Sequence, residues 1–192
     1  MRHLAIDYES GGTTPGVSAH VSMGIALMED GEPLETLHWI FAPARDHRNR
    51  YRRTYEIPSL EVSGITWKQI QAGTPLQTSL NELNAFAERH RAEQLPVVAY
   101  NAPFDLAMYS DYLFLCGSYD PVAKRFNPVK PPLSGPWTCA RLLAQQKLTL
   151  PDYKLDTVAA HFGESRSTKT HDALADAILA GRIFNLLSRP PM

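Results

Sequence analysis

An apolar segment near the start of the chain runs directly into two acidic residues. Leu4 to Ile6 lead into Asp7, and Glu9 follows two positions later. Side chains two positions apart in a strand point to the same face, so a strand here would place the two carboxylates side by side. Like charges repel, and acids are rarely buried without a partner. Either a cation lies between the two carboxylates, or the strand ends in water.

The size and composition of the chain favour one globular domain over residues 1–192. The chain is 44% hydrophobic and 20% charged, and its formal net charge is −1. This balance does not indicate a polyanion partner, so any nucleic-acid-binding surface would be local. Cys116 and Cys139 are far apart in the sequence and match no metal-binding spacing. Without an apolar membrane span or a signal peptide, we expect a cytoplasmic protein with no membrane partner.

Hydrophobic patterning predicts three consecutive strands, then helices that alternate with a further strand. The predicted strands cover residues 3–8, 20–28, 34–41 and 95–100. Apolar residues at helical spacing predict helices over residues 74–90, 104–117, 138–147, 155–163 and 171–188. Two polar segments, one rich in Arg and one rich in Pro, are predicted to be loops over residues 43–57 and 118–136. This order favours an α/β fold with a mixed sheet flanked by helices.

Further acids lie near the starts of two predicted helices. Asn101 follows the fourth predicted strand as a candidate N-cap, and Asp105 falls in the first helical turn, where the helix dipole also favours an acid. Asp176 lies among apolar positions of the last predicted helix, where an acid without a cation is unusual. His171 is expected at the entrance of that helix, which Thr170 could cap, and a lone histidine there is more often structural or exposed.

These residues form three motifs that occur in a recognisable order. The motifs are Asp7-x-Glu9, Asn101-x-x-Phe104-Asp105 and His171-x-Ala173-x-x-Asp176. Together they resemble the DEDD superfamily of 3′–5′ exonucleases, in the DEDDh (DnaQ-like) branch that carries a histidine in its third motif. The epsilon proofreading subunit of bacterial replicative polymerase and RNase T belong to that branch. The resemblance extends over about residues 3–187, including the segments SGIT (63–66), TCARLLAQ and YKLDTVAAHFG.

The resemblance implies a ribonuclease-H-like fold with a specific metal site. The implied fold has a five-stranded mixed β-sheet, three antiparallel strands followed by parallel strands, with α-helices on its faces. The implied ligands of two divalent ions, Mg²⁺ or Mn²⁺, are Asp7, Glu9, Asp105 and Asp176. His171 would be the general base, since its ordinary pKa near 6.5 suits proton transfer at neutral pH. The implied activity is metal-dependent hydrolysis of single-stranded DNA or RNA from the 3′ end, which releases nucleoside 5′-monophosphates.

Several further residues are candidates for substrate binding. Ser10 stands where the family commonly has Thr, and it keeps a hydroxyl for the terminal nucleotide. Phe104 could contact a base or pack in the core. The Arg-rich segment 45–53 could be a basic flap that contacts phosphates, or an ordinary solvated loop. The substrate-binding candidates are Tyr8, Ser10, Asn101, Phe104, Arg48, Arg50, Arg52 and Arg53.

Other functions are compatible with the same residues. One alternative is a non-catalytic nucleic-acid-binding module, although all five catalytic positions of the resemblance are filled. Another is a proofreading subunit with a polymerase partner, or an enzyme with a repair partner. The chain ends at SRPPM soon after the last predicted helix, without a visible tether, so we expect a stand-alone enzyme. RNase T-like enzymes dimerise, which leaves a homodimer open, and the sequence does not distinguish a DNA substrate from RNA.

Overall fold

The computed structural model of the chain describes residues 1–44, 52–167 and 170–189. Within these ranges the strands are β1 (Arg2–Ser10), β2 (His20–Glu29), β3 (Glu32–Ile40), β4 (Val97–Ala99), β5 (Ser118–Asp120), β6 (Arg125–Asn127) and β7 (Trp137–Cys139). Five of them form one sheet in the order β3-β2-β1-β4-β7, and β5 pairs with β6 in a separate hairpin. β1, β2 and β3 are antiparallel neighbours, whereas β4 runs parallel to β1 and β7 runs parallel to β4. The predicted five-stranded mixed sheet is confirmed.

Helices cover both faces of this sheet. They are α1 (Ile57–Ser63), α2 (Trp67–Gln71), α3 (Leu76–His90), α4 (Ala102–Cys116), α5 (Ala140–Lys147), α6 (Leu155–His161) and α7 (Ala173–Leu187), with a 3₁₀ turn at Ala92–Gln94. The core between the sheet and α3 and α4 includes Leu4, Ile6, Leu83, Phe86 and Tyr112. A second core, which holds α5, α6 and α7 together, includes Val98, Ala144, Val158, Leu179 and Ile183. No helix in the described ranges is both long and apolar enough to cross a membrane.

Small residues let α7 lie unusually close to the middle of the sheet. Ala5 and Ala26 pack against Ala177 of α7. A Cβ atom added at Gly181 would lie 3.0 Å from the Cβ of Ala5, and one added at Gly24 would lie 2.3 Å from the Leu174 nitrogen. These contacts leave no room for larger side chains between β1, β2 and the first turns of α7. The start of α7 is therefore held directly against the sheet.

We expect Gly24→Ala to destabilise the fold by about 2 kcal/mol, because an added methyl group would push against backbone rather than against a movable side chain. The nearest atoms are the Leu174 nitrogen and the Ala173 carbonyl carbon, at 2.3 and 2.4 Å. Urea unfolding of the wild type and the variant measures the change. An unfolding free energy within about 0.5 kcal/mol of wild type would contradict this prediction, since it would show that α7 shifts at little cost.

The structure corrects two predictions about secondary structure. Residues 118–136, predicted to be a loop, contain the β5–β6 hairpin. Residues 138–147, predicted to be helical, begin with the end of β7, and the helix starts only at Ala140. A three-residue strand is too short to show an alternating pattern. When a helical pattern follows it directly, the strand residues are assigned to the predicted helix. The helices α1 and α2 have only seven and five residues, so hydrophobic patterning does not predict them.

Candidate active site

The first strand delivers two acids to the face of the sheet that α7 covers. Leu4, Ile6 and Tyr8 belong to the core beneath α3 and α4, whereas Ala5 packs against α7. Because side chains alternate along a strand, Asp7 and Glu9 point to the same side as Ala5. Both acids lie near the carboxyl end of β1. The strand alternation that the sequence predicts therefore separates the core-forming residues from the acids.

The second motif meets the first because β4 is the parallel neighbour of β1. The carboxyl ends of the two strands lie at the same edge of the sheet, and α4 begins just after β4. Asn101 is the N-cap residue of α4 by position, and Pro103 is in the first turn. The buried Asp105 carboxylate accepts a hydrogen bond of 3.2 Å from the backbone N–H of Tyr8. This bond ties the start of α4 to the strand that carries the first two acids.

The third motif enters the site from the start of α7. Asp172, not Thr170 as predicted, is the N-cap residue, and its carboxylate accepts a hydrogen bond of 2.8 Å from the backbone N–H of Ala175. Asp176 is buried one turn later. The His171 backbone N–H donates to the carbonyl of Val62 in α1, at 3.2 Å. This contact holds the histidine just outside the helix, as the sequence spacing predicts.

The acids and the histidine approach each other closely. His171 Nδ1 lies 3.9 Å from Glu9 Oε1 and 4.0 Å from Asp176 Oδ2, and its side chain is 46% exposed. Ligand atoms of these three residues all lie within 4.8 Å of one another. His171 and Asp176 line a cavity of about 460 Å³ together with Asp7 and Asp105. The structure thus brings residues of three separate motifs to one cavity at the carboxyl ends of β1 and β4.

Burial, together with repulsion between neighbouring acids, raises the pKa values of these carboxyl groups. Burial, followed by the charges of the neighbouring acids, raises the pKa of Asp7 well above its ordinary range. Burial and the nearby Asp176 raise the pKa of Glu9 to about 8. Burial also raises the pKa of Asp105 to about 7 and that of Asp176 to about 6. Four crowded carboxylates at neutral pH therefore favour a positively charged partner.

The residues fit a divalent metal ion on two grounds. Carboxylate oxygens are the ligands that hard ions such as Mg²⁺ and Mn²⁺ prefer. In addition, Asp176 Oδ1 is buried and has no hydrogen-bond partner among the described residues. A buried polar atom without a partner is costly, so this oxygen is available to a ligand that the protein itself does not supply.

One residue of the site was missed by the sequence analysis. Arg166, in the loop between α6 and α7, places Nη1 3.3 Å from Asp176 Oδ2 and Nε 2.7 Å from Asp156 Oδ1. It also lines the cavity with the acids. Arg166 lies in the polar segment ESRSTKT, where no local pattern distinguishes a buried ion pair from a solvated loop residue. Only the folded position of the loop shows that the guanidinium points inward.

The substrate-binding candidates near the motifs occupy different environments. The ring of Tyr8 is buried in the core at the cavity wall. Phe104 is partly buried against the same core and lines the cavity, and the exposed Asn101 lies at the cavity as well. The Ser10 hydroxyl donates to the Gly12 carbonyl at 2.5 Å. Their contribution to substrate binding stays a prediction.

The arginines of the predicted basic flap are only partly described. Arg48 and Arg50 lie outside the described residues. Arg53 donates to Asp111 through Nε, at 2.9 Å from Oδ2, and through Nη2, and Arg52 reaches the Leu115 carbonyl at 3.5 Å. Arg52 and Arg53 line a surface groove with Trp67 rather than the cavity of the acids. Arg53 is therefore paired with Asp111 of α4, and the role of these arginines in phosphate binding stays a prediction.

Comparison of the sequence with known proteins gives distant relatives. No family model matches the chain. The chain is 24% identical over 181 residues to a DNA polymerase III PolC-type of Thermotoga petrophila, and 23% identical over 181 residues to that of Thermotoga maritima. Each alignment covers 94% of this chain but 11% of the relative. The chain therefore spans about a tenth of the length of the curated relatives it matches.

Comparison of the structure gives nearer matches. The nuclease domain of 3′hExo, a DEDDh family member bound to rAMP, has a TM-score of 0.72 at 15% identity, covering 96% of this chain and 90% of that one. Exonuclease I has a TM-score of 0.69 at 17% identity, covering 96% of this chain and 41% of that one. E. coli Exonuclease I in complex with a dT13 oligonucleotide has a TM-score of 0.70 at 17% identity, covering 96% and 40%. The predicted ribonuclease-H-like fold and the resemblance to DEDDh exonucleases are confirmed.

Proposed function

We propose that this chain is a metal-dependent 3′–5′ exonuclease of the DEDDh type that acts on single-stranded nucleic acid. The observation that carries the proposal is that three acids and one histidine, from three separate segments, line one cavity, and that a fourth acid, Glu9, lies beside His171 and Asp176. The similar structures support the proposal, because one is the nuclease domain of 3′hExo, a DEDDh family member, bound to rAMP, and another is Exonuclease I in complex with a dT13 oligonucleotide. The reaction would hydrolyse the terminal phosphodiester bond and release a nucleoside 5′-monophosphate.

The four acids would hold two divalent ions, Mg²⁺ or Mn²⁺. Such ions, when bound, lower the pKa of a water molecule and offset the negative charge that develops on the phosphate and on the leaving oxygen. Asp7 and Asp105 line the cavity from the sheet edge and from α4, and Asp176 faces them from α7. Glu9, two positions after Asp7 in β1, lies close to His171 and would act near the terminal nucleotide. The protein contributes a rigid frame, because each acid sits on a strand or a helix rather than on a loop.

His171 is the proposed general base. Its ring is 46% exposed at the cavity and lies 3.9 Å from Glu9, so it can reach a water molecule next to the acids. Burial and the charge of Arg166 lower the pKa of His171 below its ordinary value. The imidazole is therefore neutral at pH 7 and can accept the proton of the attacking water, while the shortened strand keeps a 3′-hydroxyl.

We expect divalent metal to raise the melting temperature more at pH 8 than at pH 6. The pKa values of Glu9 and Asp105 are raised to about 8 and about 7 in the folded state, mainly by burial. A raised carboxyl pKa stabilises the fold at low pH, and that stability is lost as the pH rises through the folded-state values. The metal-free protein is thus least stable at high pH, where the carboxylates are ionised and can bind metal.

Thermal unfolding with and without saturating Mn²⁺ measures this effect. We expect a rise of roughly 5–10 °C at pH 8 and less than half of that rise at pH 6. Asp7→Asn serves as the control, because it removes one ligand charge and should reduce the rise at pH 8. Equal rises at both pH values would show that the buried acids are not the metal ligands.

Digestion of 5′-labelled single strands tests the proposed function. DNA and RNA strands of the same sequence are incubated with Mg²⁺ or Mn²⁺, and the controls are EDTA and Asp7→Asn. We expect a ladder that shortens from the 3′ end and disappears in both controls. The strand that is cleaved faster shows whether the enzyme prefers DNA or RNA. Binding of the strands without cleavage at any metal concentration would replace the proposal with the non-catalytic binding module.

A proofreading role beside a polymerase is the second candidate function. The observation that favours it is the alignment of this chain with a tenth of a PolC-type DNA polymerase III. A proofreading enzyme should remove a mismatched 3′ nucleotide from a primer–template duplex faster than a matched one. A single-strand exonuclease should leave both duplexes largely intact.

Four further expectations stay predictions: a single domain over residues 1–192, a homodimer, a repair partner and a cytoplasmic location.

A further inference from the structure

The acidic cavity holds a cation that belongs to the chain itself. The Arg166 side chain is only 14% exposed, and its guanidinium contacts two acids at once. One partner is the buried Asp176, at 3.3 Å, and the other is Asp156 at the cavity rim, at 2.7 Å. A guanidinium is charged at every accessible pH and is strongly attracted to carboxylates. Arg166 therefore neutralises part of the site without any bound ion.

We propose that Arg166 is a built-in counterion that competes with divalent metal for Asp176, and that it thereby sets the metal concentration at which the site fills. This inference rests on the proposed function, in which Asp176 is a metal ligand. A metal ion bound to Asp176 would share that carboxylate with the guanidinium. Like charges held by one carboxylate repel each other, and the partly buried setting screens the repulsion poorly.

The geometry indicates partial rather than complete competition. Arg166 contacts Oδ2 of Asp176, whereas Oδ1 of the same carboxylate is buried without a hydrogen-bond partner in the described part of the chain. Metal binding at the unused Oδ1 therefore does not require the guanidinium to leave Oδ2 first. We expect Arg166 to weaken metal binding by about tenfold and not to block it, which lies within the usual range of coupling between two sites.

The second partner of Arg166 provides a place for the guanidinium when metal binds. The side chain of Asp156, in the first turn of α6, is 67% exposed, whereas that of Asp176 is 4% exposed. Arg166 can leave the buried acid and keep an ion pair with the exposed one. The displaced charge is then not left buried without a partner, which would be strongly unfavourable.

Direct metal binding by the intact chain tests this inference without relying on activity. Mn²⁺ is titrated at one fixed pH into the wild type, Arg166→Gln and Arg182→Gln, and the dissociation constants are measured by calorimetry. Arg182, on α7, is the matched control, because it also pairs with two acids, Glu32 at 3.1 Å and Glu164 at 3.6 Å, but on the outer surface. We expect about tenfold tighter Mn²⁺ binding for Arg166→Gln and an unchanged constant for Arg182→Gln.

A second variant covers the case in which Arg166→Gln does not fold. Arg166→Lys keeps the charge but loses the planar fork that contacts two acids together, so Mn²⁺ should bind a few fold more tightly than to wild type. If whichever Arg166 variant folds binds Mn²⁺ as the wild type does or more weakly, the counterion role is overturned and the proposed function is left intact. If the wild type binds no Mn²⁺, the metal dependence of the proposed function fails, and the counterion role fails with it.

Discussion

Asp7→Asn should reduce the rate of 3′-end cleavage by at least about a thousandfold, equivalent to about 4 kcal/mol of transition-state stabilisation. Asn has the shape of Asp but no charge, so it removes a proposed ligand of the metal ions without opening a cavity. The fold should persist, because a neutral amide at this position avoids the repulsion that an ionised Asp7 meets from Asp105, Glu9 and Asp176. We therefore expect activity to fall while the melting temperature of the metal-free protein stays the same or rises.

Single-turnover digestion and thermal unfolding of the same preparations test this pair of effects. Asp152→Asn is a matched control, since Asp152 lines the same cavity but its carboxylate accepts a hydrogen bond from the Lys154 backbone, which the Asn side chain can also accept. The control should keep its rate within about threefold of wild type. A markedly unfolded Asp7→Asn would instead assign a structural role to this acid, and a variant with more than a tenth of the wild-type rate would remove Asp7 from the metal site.

His171→Ala should slow the chemical step by about a hundredfold or more and leave substrate affinity nearly unchanged. The side chain is half exposed, so its removal should cost little stability. In the wild type, the rate should fall as the pH drops below the pKa of His171, because a protonated imidazole cannot accept a proton. Burial and Arg166 lower that pKa, so the fall should occur below pH 6.5.

The pH–rate profile distinguishes a base from a residue that only positions substrate. His171→Ala should lose the acidic limb that belongs to histidine, whereas His161→Ala, which alters an exposed histidine on α6, should retain it. Steady-state measurements provide the second readout. A large rise in KM with an unchanged turnover number would show that His171 binds substrate and that another group accepts the proton.

The parts of the fold that the sequence predicts well are the long elements. β1 and β2 are nine and ten residues long, and α3, α4 and α7 each have fifteen residues, so each leaves a long apolar or amphipathic segment in the sequence. β7 has only three residues and follows a Pro-rich segment, which hides it. Its place at the sheet edge depends on pairing with β4, and such long-range pairing leaves little trace in local sequence.

The site shows the same division between local and long-range information. The sequence draws attention to Asp7 and Asp176 because each lies in or directly after an apolar segment, where an acid needs a partner, whereas Asp105 stands out only as part of the second motif. Arg166 and the anchor between Arg53 and Asp111 have no such signal, because arginines in polar loops are usually solvated. Their partners are distant in sequence or lie on other elements. Only the folded chain shows that Arg166 lines the acidic cavity and that Arg53 forms an ion pair with Asp111 of α4.

The identity of the released nucleotide tests the central claim most directly. A single strand is digested with Mn²⁺ in water enriched in heavy oxygen, and the products are identified by mass spectrometry. We predict that nucleoside 5′-monophosphates are released one by one from the 3′ end, each with one heavy oxygen on its phosphate, and that none is released in EDTA. Nucleoside 3′-monophosphates, internal fragments, or products without heavy oxygen would contradict hydrolysis by water at the 3′-terminal phosphodiester bond.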